Sequence, residues 1–268
     1  MPLDTGQPNP SMNKTSAPRH AIDISEADGV RYLHFGSDWV QGAMRVARPW
    51  SLELDYTREM MAGLLMRPRQ HWPRSALLIG LGAGSLAKFL YRYFPECRIT
   101  VVEINPQVEF VARQYFKLPD DPARLDVRIA CGADYLARNK RRFDLILTDG
   151  FGADGRPGML DTAAFYQNCC NSLSDDGLFC VNLLREKGFS RSVDRIREAF
   201  SGQIRDFPAC ASGNTIVFGR GAHPVEVSPE LLLERANSLR QQTRLNLLPL
   251  LKRLEQEQTV TEKSLLSF

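Results

Sequence analysis

The chain lacks almost everything that would staple it, anchor it or charge it strongly. Its 268 residues include six cysteines, at 97, 131, 169, 170, 180 and 210, and only four histidines. No two cysteines stand in C-x-x-C spacing, so no zinc or other metal site is expected. Several of them lie in apolar runs, where a free thiol behaves as a small core residue, and this usage suits a reducing compartment. No run of about eighteen apolar residues occurs, so no membrane span is expected. The first twenty residues, "MPLDTGQPNPSMNKTSAPRH", lack a secretory-type apolar core. Their Pro, Ser, Asn and Thr content predicts a disordered tail over 1–20, and the expected location is cytoplasmic. The formal net charge is only +3, too mild to indicate a nucleic-acid partner. The basic run "RNKRR" (138–142) reads as a solvated helix end and loop.

What is present is ordinary for a globular protein, with 43% hydrophobic and 24% charged residues. The length fits one domain of moderate size, or one with a small appendage, and allows a core that needs no disulfide or metal.

Residues 21–55 read as strands: "VRYLHFG" and "WVQGAMRVA" are rich in β-branched and aromatic residues, with "DG" and "GSD" as turn signals. A small antiparallel sheet is expected there. "DYTREMMAGLLMRP" (55–68) has apolar residues at helical spacing and predicts one helix ended by Pro68. From residue 75 onward strand-like and helix-like runs alternate: "ALLIG", "SLAKFLYRYF", "RITVVEI", "PQVEFVARQYF", "LDVRIA", "DYLARN", "FDLILTD", "TAAFYQNCCNSL", "GLFCVNLL", "SVDRIREAF" and "NTIVFGR". Such alternation predicts right-handed βαβ units and an α/β fold, a mostly parallel sheet with helices on both faces. The last forty-odd residues read as amphipathic helix broken near Pro249, with a Leu stripe packed on the domain or on a second subunit. The expected divisions are a tail at 1–20, a β-domain with a linking helix at 21–66, the α/β domain at 67–220 and a helical extension at 221–268.

In such a sheet ligands sit at the carboxyl ends of the strands. The turn "GLGAGS" after the first of these strands places Gly80, Gly82 and Gly84 in G-x-G-x-G spacing. Glycine-rich turns of this kind serve dinucleotides, nucleoside triphosphates and sulfonium nucleosides. The dinucleotide pattern G-x-G-x-x-G would need glycine where Ser85 stands, and the G-K-[ST] ending of a Walker loop is absent. Glu103 ends the second strand, 21 residues after Gly82, close to the spacing at which an acid holds ribose hydroxyls. Asp149 ends the fourth strand, "FDLILTD", before a long glycine-rich loop. A reacting group would lie there; the structural alternative is an acid that caps the loop.

These segments, together with "VVEINPQV", "FYQNCCNSLSDDGLFCVN" and the upstream "WVQGAMRVARPWSLELDYTREMMAGLL", resemble the polyamine aminopropyltransferases, the spermidine synthase family, over roughly residues 21–220. The resemblance implies a methyltransferase-like Rossmann domain behind a small N-terminal β-domain, and a homodimer. It also implies transfer of an aminopropyl group from decarboxylated S-adenosylmethionine, a co-substrate rather than a permanent cofactor, to a small amine. By resemblance Asp149 and Tyr56 are catalytic. Gln41, Gly80, Gly82, Gly84, Glu103, Gly132 and Asp134 belong to the nucleoside site, Gly132 and Asp134 through "CGADYL", and Asp154 to the amine site. Departures from the family pattern fall at Ala83, Cys131 and Gly152, where carboxylates are usual, and at Arg58, a charge reversal. An S-adenosylmethionine-dependent methyltransferase, which tolerates Ala83, and a non-catalytic nucleoside-binding protein are the alternatives.

Overall fold

The computed structural model describes residues 21–37, 39–66, 71–150, 158–186, 188–207, 210 and 212–258. Three strands come first, β1 (Ile22–Ala27), β2 (Val30–Phe35) and β3 (Val40–Arg45), paired antiparallel in that order. Asp28 and Gly29 join the first two with φ of 50° and 71°, the left-handed pair that a two-residue hairpin turn requires. Two short helices follow, α1 (Asp55–Met60) and α2 (Gly63–Met66). Then come β4 (Ser75–Ile79), α3 (Ser85–Tyr93), β5 (Arg98–Glu103), α4 (Pro106–Phe116), β6 (Leu125–Ile129), α5 (Gly132–Arg138) and β7 (Phe143–Thr148). A single 3₁₀ turn at Gly158–Leu160 leads into α6 (Ala163–Asn171), β8 (Leu173–Leu184), α7 (Phe189–Ala199), β9 (Ile204–Asp206) and β10 (Asn214–Arg220). Helices α8 (Pro229–Thr243) and α9 (Leu248–Gln258) close the described chain.

The second sheet has the order β6-β5-β4-β7-β8-β10-β9. Strands β4 to β8 run parallel, while β10 is antiparallel to both β8 and β9. Chain order reverses between β4 and β7, so the crevice at their carboxyl ends is the switch point where such sheets bind ligands. The central strands are apolar on both faces because helices cover both. One layer packs Phe89, Leu90 and Ala112 of α3 and α4 with Leu232 and Leu250 of the C-terminal helices. The other packs Leu136, Phe165, Val193 and Ile196 of α5, α6 and α7. A third cluster, Leu33, Met44, Ala83 and Phe116, fastens the small sheet onto the turn after β4 and the end of α4.

The structure refines the sequence expectation at three places. The helix expected over 55–68 is two pieces. Leu64 N–H donates to Met61 O at 3.0 Å and Leu65 N–H to Ala62 O at 2.9 Å, a tightened i to i+3 pattern that buries Met61 and Ala62 completely. Pro68 lies outside the described residues. The break in the C-terminal helix falls at Arg244, with φ of 63°, and not at Pro249. Thr243 makes the break: its hydroxyl donates to Leu239 O at 2.7 Å and accepts from Leu245 N–H at 3.1 Å. Pro249 stands in the first turn of α9, where its missing N–H is not needed. The last strands of the sheet are antiparallel, with consequences for the site described below.

The Leu stripe of α8 and α9 packs on the chain's own core, through Leu232, Leu239, Leu251 and Leu254. Arg253 of α9 pairs with the buried Glu59 of α1 at 2.7 Å, and Arg235 donates to Leu65 O at 2.8 Å. Among the described residues no helix is long and apolar enough to cross a membrane.

Lys88 is buried in α3, and its Nζ donates to Phe116 O, the last helical carbonyl of α4, at 2.7 Å. Burial, with a smaller push from Lys117, lowers its pKa to about 7 from the usual 10.5. Between those two values the unfolded chain holds a proton that the folded chain does not. Stability should therefore rise with pH through that window, by up to about 1.4 kcal/mol per pH unit. Below it both states are charged and the desolvation penalty stands in full. The Lys88→Met variant should lose this slope, which urea unfolding at pH 6, 8 and 9.5 would measure; an equal slope in both proteins would refute the assignment.

Candidate active site

The turn after β4 needs glycine at Gly80, Gly82 and Gly84 because all three hold a positive φ. Gly80 donates its N–H to Val102 O of β5 at 2.9 Å, and Asp149 N–H donates to Ile79 O at 2.9 Å. The turn is thus gripped between two neighbouring strand ends. Gly80 has φ of 95°, and a Cβ there would lie 2.3 Å from the backbone oxygen of Asp149. Ser85 Oγ donates to Ala43 O of β3 at 3.1 Å, which ties the start of α3 to the small sheet.

Glu103 stands at the end of β5 and is 8% exposed. Both carboxylate oxygens accept backbone donors: Oε2 from Leu81 N–H at 2.9 Å and Oε1 from Asn105 N–H at 2.9 Å. Burial raises its pKa, opposed by these backbone donors. Ile104 N–H is a third backbone donor to this carboxylate, and one of its four lone pairs is left to accept from a diol.

Asp149 lies just beyond β7. Its Oδ1 accepts from Asn182 Nδ2 at 3.0 Å, and its carboxylate also accepts from the Tyr56 hydroxyl of α1. Burial raises the Asp149 pKa, opposed by the Asn182 and Tyr56 donors. Burial and the Asp149 charge together push the Tyr56 phenol well above its ordinary range, so Tyr56 stays protonated as a donor. Such a carboxylate, partly buried at the cavity wall and held by two donors, is able to accept a proton from a group bound in the cavity.

The cavity above these groups has a volume of about 1100 Å³. Its charged lining residues are Glu53, Asp55, Glu103, Asp149 and Glu186, with no Arg, Lys or His among the described residues. Arg45 holds Glu53 in an ion pair, and Arg58 holds Asp55 at 2.6 Å. Apart from Asp55, the Arg58 guanidinium donates to the carbonyls of Leu52 and Glu53, and Arg58 is not among the cavity-lining residues. The charge reversal at that position therefore does not place a cation in the site.

Of the residues singled out in the sequence, Gln41, Tyr56, Gly80, Gly82, Glu103, Gly132 and Asp149 meet at this cavity. Two do not. Gly84 caps α3 in the left-handed conformation, packed close to Leu118. Asp134 is exposed on α5 and outside the lining. Gly132 opens that helix tight against Ile79, and two residues later the side chain is rotated by about 200°. Asp154 and Gly152 lie outside the described residues. Ala83 is 2% exposed and borders the cavity, with its methyl group close under Gly42 of β3. The sequence pattern did not single out Glu53, Asp55, Glu186, Asn182, Asn214 or Ser212, all of which line the cavity. Only Asn182 left a trace, as a buried amide inside the otherwise apolar "FCVNLL".

Sheet order, glycine turn and the two strand-end acids define the class: a doubly wound α/β protein with the methyltransferase fold and a small β-sheet over the crevice. Relatives agree. The family described as "Spermine/spermidine synthase domain" matches residues 54–206. A polyamine aminopropyltransferase of Neisseria meningitidis is 36% identical over 219 residues, 81% of this chain and 82% of that protein. The chain belongs to the spermine/spermidine synthase family. In structure it is similar to a probable spermidine synthase from Corynebacterium glutamicum, with a TM-score of 0.70 at 17% identity over 82% of this chain and 85% of the other. It is also similar to human methyltransferase-like protein 13 in complex with SAH, with a TM-score of 0.62 at 26% identity over 71% of this chain and 93% of the other.

Proposed function

We propose that this chain transfers an aminopropyl group from decarboxylated S-adenosylmethionine to a small cationic amine. The observation that carries this is Asp149, held by Tyr56 and Asn182 in a cavity whose charged lining, among the described residues, is acidic. The glycine turn, Glu103 and Gly132 would hold the nucleoside, with Glu103 on the ribose hydroxyls and Gln41 beside the turn. An incoming ammonium is drawn to the acidic wall and gives a proton to ionised Asp149. The freed lone pair forms the new C–N bond at the carbon next to the sulfonium. The C–S bond breaks with its electron pair going to sulfur, and methylthioadenosine leaves. The abstracted proton passes from Asp149 to solvent. The family resemblance also supports a homodimer acting in the cytoplasm.

A second reading is methyl transfer from S-adenosylmethionine. It is favoured by Ala83, whose methyl group sits in an apolar cluster where an aminopropyl-binding carboxylate would otherwise stand. One assay separates the two. The purified protein is incubated with each nucleoside and a panel of amines, and the products are resolved. Methylthioadenosine that appears only with amine supports aminopropyl transfer, whereas S-adenosylhomocysteine supports methyl transfer. Absence of binding to either nucleoside by calorimetry would remove both.

A further inference from the structure

Behind Asp149 runs a line of polar side chains. Asn182 Nδ2 donates to Asp149 Oδ1 at 3.0 Å. Asn182 Oδ1 accepts from Asn214 Nδ2 at 2.8 Å, Asn214 Oδ1 accepts from Ser212 Oγ at 2.6 Å, and Ser212 Oγ lies 3.0 Å from Cys210 Sγ. Each amide spends its oxygen on the donor behind it and its N–H on the acceptor in front. The Ser212 proton is committed to Asn214, so the Cys210 thiol is left as the donor to Ser212. Every bond thus points the same way, and the line ends on the carboxylate.

The antiparallel β10 builds this arrangement. Asn182 of β8 is paired with Ile216 of β10, and Asn214, two residues from Ile216, projects from the same face as its diagonal neighbour. Because β10 runs against β8, its first residues and the preceding Cys210 and Ser212 arrive at the carboxyl ends of the parallel strands. A parallel strand there would have brought its last residues instead.

We propose that Asn182, Asn214, Ser212 and Cys210 form a one-way hydrogen-bond chain that keeps Asp149 ionised and fixed in orientation as the proton acceptor. They are positioning residues. This inference rests on the proposed aminopropyl transfer for its catalytic consequence, but not for its electrostatic one. Aligned donors polarise one another, and a donor to the charged form of an acid favours that form. The chain works against the burial of Asp149; the other acids that line the same cavity are Glu53 and Asp55, each paired with an arginine, and Glu103 and Glu186. It works in concert with the Tyr56 phenol on α1, while the Cys180 thiol of β8, itself pushed up by burial and by Asp149, stays neutral.

The test uses Asn182→Leu, Asn214→Leu and Ser212→Ala, each compared with wild type by thermal unfolding, nucleoside affinity, the pH profile of kcat and carbon-13 carboxyl NMR titration of Asp149. Loss of a hydrogen bond to a charged acceptor should lower kcat near neutrality roughly ten- to a hundredfold in Asn182→Leu. It should move the acid limb of the profile, and the Asp149 titration, up by about one pH unit or more. Asn214→Leu should give a smaller shift in the same direction and Ser212→Ala a smaller one still, with nucleoside affinity unchanged in all three. Ser212 is exposed and outside the strands, so its variant keeps the test alive if the strand variants misfold. Unshifted Asp149 titration in the folded variants overturns the proposal. A wild-type protein that makes no methylthioadenosine with any amine overturns the functional reading instead, and the NMR titration then still decides for or against the chain.

Discussion

Asp149→Asn should lower turnover by about three orders of magnitude while the nucleoside still binds with nearly wild-type affinity. The substitution is isosteric, and the new amide oxygen can accept from Asn182 Nδ2 as Oδ1 does at 3.0 Å. What it cannot do is take a proton from an attacking ammonium. The fold should not suffer, because burial already disfavours the charged form of Asp149 and a neutral amide removes that penalty. The wild-type profile should itself fall on the acid side, as protonation of Asp149 removes the base. Steady-state kinetics against calorimetry of the nucleoside complex would check this. A variant with unchanged turnover would show that Asp149 is not the proton acceptor, and one that lost nucleoside affinity equally would reassign it to binding.

Glu103→Gln should weaken nucleoside binding about a hundredfold or more, the loss of one or two hydrogen bonds to a charged acceptor. Ordinarily this exchange is mild, but here both oxygens of the side chain accept backbone N–H groups, from Leu81 and from Asn105. Whichever way the glutamine amide is turned, its NH₂ faces one of those donors. One backbone N–H is then left without an acceptor inside a buried turn, which costs about 1–3 kcal/mol, and the turn that must approach the nucleoside is displaced. A drop in unfolding temperature should therefore accompany the loss of affinity. Glu103→Asp, which keeps the charge but is too short to span both donors, should show an intermediate loss. Affinity unaffected in Glu103→Gln would mean that the acid only braces the turn and does not touch the ribose.

The two acids were legible in the sequence because Glu103 ends one apolar strand and Asp149 directly follows another, and in a doubly wound sheet strand ends are where ligands lie. Gly80 was legible for a related reason: its backbone, squeezed between the ends of β5 and β7, admits no Cβ. Asp134 misled because distance along the chain from Gly132 is short while the helix turns the side chain away. The acids Glu53, Asp55 and Glu186 could not be found by pattern. Glu53 comes from the loop after β3, Asp55 opens α1 and Glu186 follows β8, and nothing in those segments taken singly marks which side chains will face the same space.

The sequence by itself determined the alternation of strand and helix, the glycine turn after β4 and the acids that end β5 and follow β7, because these depend on local hydrophobic period and on conformational freedom at single residues. Tertiary pairing alone decided what surrounds Asp149. The direction of β10 is a property of how strands meet, with no local code in "NTIVFGR". It is that antiparallel direction that carries Asn214, Ser212 and Cys210 to the carboxyl ends of the sheet and lines them up, through Asn182, on the carboxylate.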